Sequence, residues 1–192
     1  MIDFGPVRDG GLELSDLALG LTVADLARAT RAVTAELLRR IESAEDADLT
    51  FVPDDPEAED SFAEDATEAN LAWTLGHVIV HLTASAEEAA FLGAELARGV
   101  EPHGRSRYEV PWPTMTTVEA GRARILESQR MMLASLDSWP DEPHLEVLFT
   151  TSRGTTRNAL ARYLGGLLHT DAHLAQVADI LGQAMAVRPG GH

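Results

Sequence analysis

The sequence predicts an all-α protein, a four-helix bundle with a long crossover connection, and three observations lead there. Apolar residues recur at alternating spacings of three and four along four long segments, the period of a helix with one buried face. Alanine and leucine are abundant while aromatic residues make up only 5%, a balance that favours helices packed on helices over sheets. Two long loops rich in proline or acid and one medium loop separate the segments, which calls for at least one crossover between helices.

The first helix is expected over about residues 15–44. Leu19, Val23, Leu26, Thr30, Val33, Leu37 and Ile41 form its apolar face, Ser15 is a candidate N-cap, and Gly20 interrupts the first turns. The stretch from Glu45 to Ala66 is acidic, carries Pro53 and Pro56, and reads as a long solvated loop. The second helix is expected over about residues 67–98, with Asp65, Thr67 and Glu68 supplying negative charge at its start and Gly99 stopping it. A second long loop with three prolines follows, and Thr116 and Glu119 then make a capping-box pattern for a third helix over about 116–138. It continues through Leu126, Gln129, Met132 and Leu133 to about Ser138, and Pro140 follows. The fourth helix is expected over about 155–186, with Leu160, Tyr163, Leu164, Leu167, Leu168 and Leu174 mainly on one side. A length of 192 residues fits one domain spanning residues 1–192.

Composition narrows the function. With 31 acidic side chains against 15 basic ones the formal net charge is -16, which repels phosphate backbones, so no nucleic-acid partner is expected. There is no cysteine, which excludes thiolate metal sites and a cysteine nucleophile. Every basic residue is arginine, so Schiff-base chemistry on lysine is also excluded. The N-terminal residues lack the basic start and apolar run of a signal peptide, and no stretch reaches the roughly 18 apolar residues of a membrane span. The expectation is a cytoplasmic protein with no membrane partner.

Four of the seven histidines form two His-x-x-x-His pairs, His77/His81 and His169/His173. Composition alone would give roughly a quarter of one such pair. Residues four apart on a helix lie about 6 Å apart on one face, so two imidazoles can converge on one ion, while a third donor must come from a facing helix. A histidine satisfied within the core is the competing reading, because an apolar face holding an unpaired imidazole is costly. Spacing alone gives His77 as good a claim as His81.

The segment from Trp73 to Leu82, with Gly76, His77 and His81 inside it, resembles the second-helix motif of the DinB/YfiT-like superfamily, in which a tryptophan precedes a metal-binding histidine followed by leucine. The segment from His169 to Gln176 resembles that superfamily's second motif, His-x-x-x-His-x-x-Gln. The resemblance extends over roughly residues 20–185 in helix order and loop placement. It implies His81, His169 and His173 as ligands of one divalent metal ion, and a long crossover joining the second and third helices. His77 falls outside the shared pattern, open between a fourth ligand, a donor to a ligand and a surface residue. Asp171, about 200° around the helix from His169, is expected to point away from the metal. Gln176, one turn beyond His173, either orients a ligand or faces the helix seam, and Glu88 reads as a helix-surface charge.

Three neutral imidazoles leave a coordination position open and the ion's double charge uncompensated, the pattern of a catalytic site. Zn and Ni both suit such donors. Members of the superfamily similar to this chain include thiol-dependent transferases and isomerases, among them mycothiol-dependent maleylpyruvate isomerase. The resemblance therefore implies a metal-dependent thiol S-transferase or isomerase, with mycothiol or bacillithiol as partner. A thiol carrying sugar or carboxylate groups needs polar and cationic contacts, for which Arg153, Arg157 and Arg162 are candidates, against the competing reading of each as a surface arginine. The alternatives are a metal-dependent hydrolase and a non-catalytic stress protein that binds a metal or small ligand. A homodimer is expected from the resemblance and the alanine-rich helix faces.

Overall fold

The computed structural model describes residues 2–56, 58, 70–104, 109–152 and 154–188. Two short helices come first, α1 (Gly5–Arg8) and α2 (Leu14–Leu17), followed by α3 (Val23–Arg40), α4 (Asp46–Leu49), α5 (Leu75–Ala97), α6 (Val118–Leu136), α7 (Ala159–Ala172) and α8 (Leu174–Ala186). A two-stranded antiparallel hairpin of β1 (Phe149–Thr150) and β2 (Thr156–Arg157) precedes α7. Among the described residues the protein is all-α apart from this hairpin, which periodicity did not announce.

Local chemistry sets the helix ends, and several differ from the sequence expectation. The first long helix starts at Val23 rather than Ser15, because Gly20 adopts φ 75° and breaks the chain direction. Thr22 and Asp25 then form a reciprocal capping box, which satisfies two backbone donors that a bare helix start would leave open. Ser15 is no cap; its hydroxyl donates to the Thr156 carbonyl in β2. Leu19, assigned to the buried face, is 74% exposed, since it lies beyond the break. Within the acidic stretch, Glu45 and Asp48 make a second capping box around α4. Buried Asp48 also accepts from Arg188, tying α4 to the residues just past α8.

The second long helix begins at Leu75, capped by Thr74, whose hydroxyl accepts from the His77 N–H. Asp65, Thr67 and Glu68, expected at its start, lie outside the described residues. Its end agrees with expectation, since Gly99 takes the left-handed conformation at φ 81°. Helix α6 is capped by Thr117, one residue later than expected, with the hydroxyl accepting from the Ala120 N–H. Its buried face runs through Ile125, Ser128, Met132 and Leu136, while Leu126 is 50% exposed. The fourth segment starts at Ala159 behind an Asn158 cap, because Thr156 is committed to the hairpin, and it divides at His173.

Helix α5 packs against α6 and α7, and α3 packs against the same two helices. Helices α5 and α6 run in the same direction. Added bulk at Gly76, near the start of α5, would strike the Met115 carbonyl just ahead of α6, while beyond their far ends the Arg98 Nη1 donates to the Ser138 Oγ at 2.9 Å. The chain between them must therefore travel back along the helices, which makes this connection the expected crossover. Helix α7 runs against α5, with Gly93 near the end of α5 facing Ala159 and Tyr163 at the start of α7.

Two apolar clusters fill the interior. One joins Leu26, Val33, Ala90, Leu160, Tyr163, Leu164 and Leu167, and the other joins Leu37, Ile41, Leu75, Val78, Ile79, Leu82, Ile125, Val177 and Ile180. Burying each large aliphatic side chain contributes about 1.5–3 kcal/mol, so these clusters outweigh any single polar contact. At Gly166 a Cβ would lie only 2.7 Å from the Ala89 Cβ and 3.0 Å from the Ala86 Cα. Small residues thus bring α5 and α7 close enough for side chains on both to meet. Among the described residues, no helix is long and apolar enough to cross a membrane.

Candidate metal centre

His81 projects from the second turn of α5, next to Leu82 of the second cluster, and half-buried at the α5–α7 seam. His169 lies on the last turn of α7, facing it, and their Nε2 atoms stand 2.8 Å apart. His173 occupies the junction of α7 and α8, with φ -88° and ψ -2°. Its backbone N–H is shared between the carbonyls of His169 and Thr170, at 3.3 and 3.2 Å. The Val177 N–H returns to the His173 carbonyl at 3.0 Å, so the helix resumes at once. The four-residue spacing consequently survives the junction, and the His169 and His173 ring centroids are 4.6 Å apart at a steep angle of 71°.

One ligand atom from each of His81, His169 and His173 lies within 4.8 Å of the others, close enough to hold a metal ion. A tetrahedral Zn with three imidazoles needs nitrogen separations of about 3.3 Å, given Zn–N bonds near 2.0–2.1 Å. The His81 and His169 Nε2 atoms are 2.8 Å apart, and the three donors all lie within 4.8 Å of one another. The donor chemistry fits as well, since neutral imidazoles suit borderline divalent ions. Among the described residues, no other group of His, Asp and Glu comes together in this way.

The surroundings orient the rings. The His173 Nδ1 sits 2.6 Å from the Gln176 Oε1. An amide oxygen only accepts, so Nδ1 carries the proton and Nε2 is left as the ligand atom. Gln176 thus orients the His173 ring rather than only facing the seam. The His81 Nδ1 faces the Glu109 Oε1 at 3.9 Å, on the side away from His169. The Trp73 ring lies 4.5 Å from that of His81 and 6.4 Å from that of His173, covering one side of the group.

A match to the family model of the DinB superfamily covers residues 20–177, and so contains all three histidines and Gln176. The chain belongs to the DinB superfamily. No curated protein and no solved structure matches it.

Other residues singled out in the sequence fall elsewhere. His77 is neither a surface residue nor one of the grouped donors. It is 8% exposed and sandwiched between Trp73 and Trp112, at centroid distances of 4.6 and 4.8 Å. Asp171 points away as expected and accepts from the Arg8 Nη1 at 2.7 Å, holding α1 against α7. Glu88 is 8% exposed, contrary to the reading of a surface charge, because α6 and α7 flank that part of α5. Arg162 lies over the Phe149 ring, 4.9 Å from its centroid, and Arg157 reaches Gly165 of α7. Arg153 is outside the described residues. Sequence reasoning missed Glu109 and Trp112, which sit in a loop without periodicity, where Pro111 and Pro113 on either side of Trp112 were the one hint of a fixed turn.

Proposed function

We propose that this DinB protein binds one divalent metal ion, Zn or Ni, through His81, His169 and His173, and uses it in a thiol-dependent S-transferase or isomerase reaction. The observation that carries the reading is the convergence of three imidazoles from two facing helices with no carboxylate in the group. An ion so held retains its charge and at least one open position, and supplies a Lewis acid able to stabilise a bound thiol in its deprotonated form. Gln176 holds the His173 ring in place, and Trp73 keeps water from one side of the group. In a transfer, the sulfur of the thiol forms a bond to an electrophilic carbon, the thiol proton passes to solvent, and the carbon's leaving group departs with its electron pair. A low-molecular-weight thiol such as mycothiol or bacillithiol is the expected partner.

The test is to load the protein with Co and add mycothiol or bacillithiol. Binding changes the visible spectrum, and an added electrophile yields the thioether conjugate. An unchanged spectrum with no conjugate contradicts the thiol reading. Turnover of esters or amides by the same preparation without thiol would instead identify a hydrolase, and full metal occupancy with no turnover in either assay would identify a binding protein.

A further inference from the structure

We propose that Glu109 and His77 are positioning residues for the metal centre: His77 clamps the crossover segment, and the clamp sets the Glu109 carboxylate beside the His81 Nδ1. The inference rests on the reading of the three histidines as a metal centre and adds two residues to it. Three observations support it. First, His81 has its two ring nitrogens on opposite tasks, Nε2 toward His169 at 2.8 Å and Nδ1 toward the Glu109 Oε1 at 3.9 Å. A carboxylate on the far nitrogen of a metal-binding imidazole fixes the tautomer and strengthens the donor. The Gln176 oxygen is hydrogen-bonded to the His173 Nδ1 at 2.6 Å, whereas the Glu109 carboxylate stands beside the His81 Nδ1 at 3.9 Å, beyond direct hydrogen-bond distance but on the same side of its ring.

Second, Glu109 is not placed by a helix. It belongs to the crossover, and the crossover is fastened to α5 three residues further on. The Trp112 ring stacks on His77 at 4.8 Å and only 5° from parallel, and Trp73 stacks on the opposite face of the same imidazole. His77 and His81 are one helical turn apart, as Trp112 and Glu109 are near neighbours in the segment above them. Third, the segment has little freedom beyond that point. The Thr114 N–H and hydroxyl both bond to the Pro111 carbonyl, and the Met115 carbonyl is packed against Gly76, where α5 has no side chain. The stacked His77 therefore fixes where the crossover rests, and the crossover fixes where Glu109 stands.

The experiment is Zn and Co titration of the full chain and of Glu109→Ala, Glu109→Gln, His77→Ala, His77→Phe and a control, Glu146→Gln, at the far end of α5, with helical content checked by circular dichroism. Glu109→Ala is expected to weaken binding about 10-fold or more and to shift the Co absorption, with Glu109→Gln in between. His77→Ala is expected to weaken binding similarly, while His77→Phe, which keeps a stacking ring, retains the affinity of the native chain. The control is expected to bind like the native chain. If Glu109→Ala binds with native affinity and spectrum, the role of Glu109 is refuted while the metal centre stands. If His77→Phe binds as poorly as His77→Ala, an imidazole nitrogen is needed there and the clamp is refuted. Absence of binding by the native chain would remove both the centre and this inference.

Discussion

The Nε2 atoms of His81 and His169 stand 2.8 Å apart across the α5–α7 seam, although the two residues are 88 positions apart in the chain. The seam beside them packs closer than large side chains permit. Gly166 supplies the room, one turn before Thr170 and three residues before His169, where it rests on Ala86 and Ala89.

Gly166→Ala is accordingly expected to destabilise the protein although alanine is the better helix former. The new methyl would sit 2.7 Å from the Ala89 Cβ, and overpacking of this kind costs about 1–3 kcal/mol. The gain in helix propensity returns at most about 1 kcal/mol. Urea unfolding measures the balance, and a variant as stable as the native chain would show that the seam can widen without cost.

In the proposed centre, Gln176 acts on the metal through His173. Replacing it with Leu removes the acceptor 2.6 Å from the His173 Nδ1 and frees the ring to turn. Metal affinity is expected to fall about 10–100-fold with helical content unchanged. Competition against a chelator of known affinity gives the number, and an unchanged affinity would show that the ring is held by packing alone.

These two residues mark what was legible in the sequence and what was not. The two His-x-x-x-His pairs and the periodic leucines exposed the helices and most of the site, because both depend on spacing within one helix. Gln176 was visible at that same spacing, but its task was not, since only coordinates distinguish an acceptor at Nδ1 from a side chain on the seam. The faces of the helices were less secure. In α6 the sequence reading ran through Leu126, which is exposed, while Ile125, about 100° away around the helix, is buried together with the expected Met132. Glu109 and Trp112 could not be found, because they reach the site from a crossover whose path depends on how α5 and α6 run. The junction at His173 was also hidden, since the leucine pattern continues through it from Leu168 to Leu174.

Tyr163 offers a pH test of the core. Its side chain is fully buried, its hydroxyl meets the Thr30 Oγ1 at 2.9 Å, and burial pushes its pKa up to about 12. In the unfolded chain a tyrosine ionises near about 10. The folded state thus favours the neutral phenol, and its contribution is fully present below about pH 10 and lost as pH rises through about 12. The loss should be on the order of 3 kcal/mol, with tyrosinate absorbance appearing together with unfolding. Tyr163→Phe is expected to lose less stability over that interval, and an identical alkaline transition in both proteins would contradict the assignment.

The central claim is that His81, His169 and His173 hold a metal. Elemental analysis of the native chain and of His81→Ala, His169→Ala and His173→Ala, each purified with metal present throughout, tests it most directly. The account predicts about one divalent ion per native chain and a marked loss in every variant, each still helical. Less than about a tenth of an ion per native chain, or undiminished occupancy in the three variants, would contradict it.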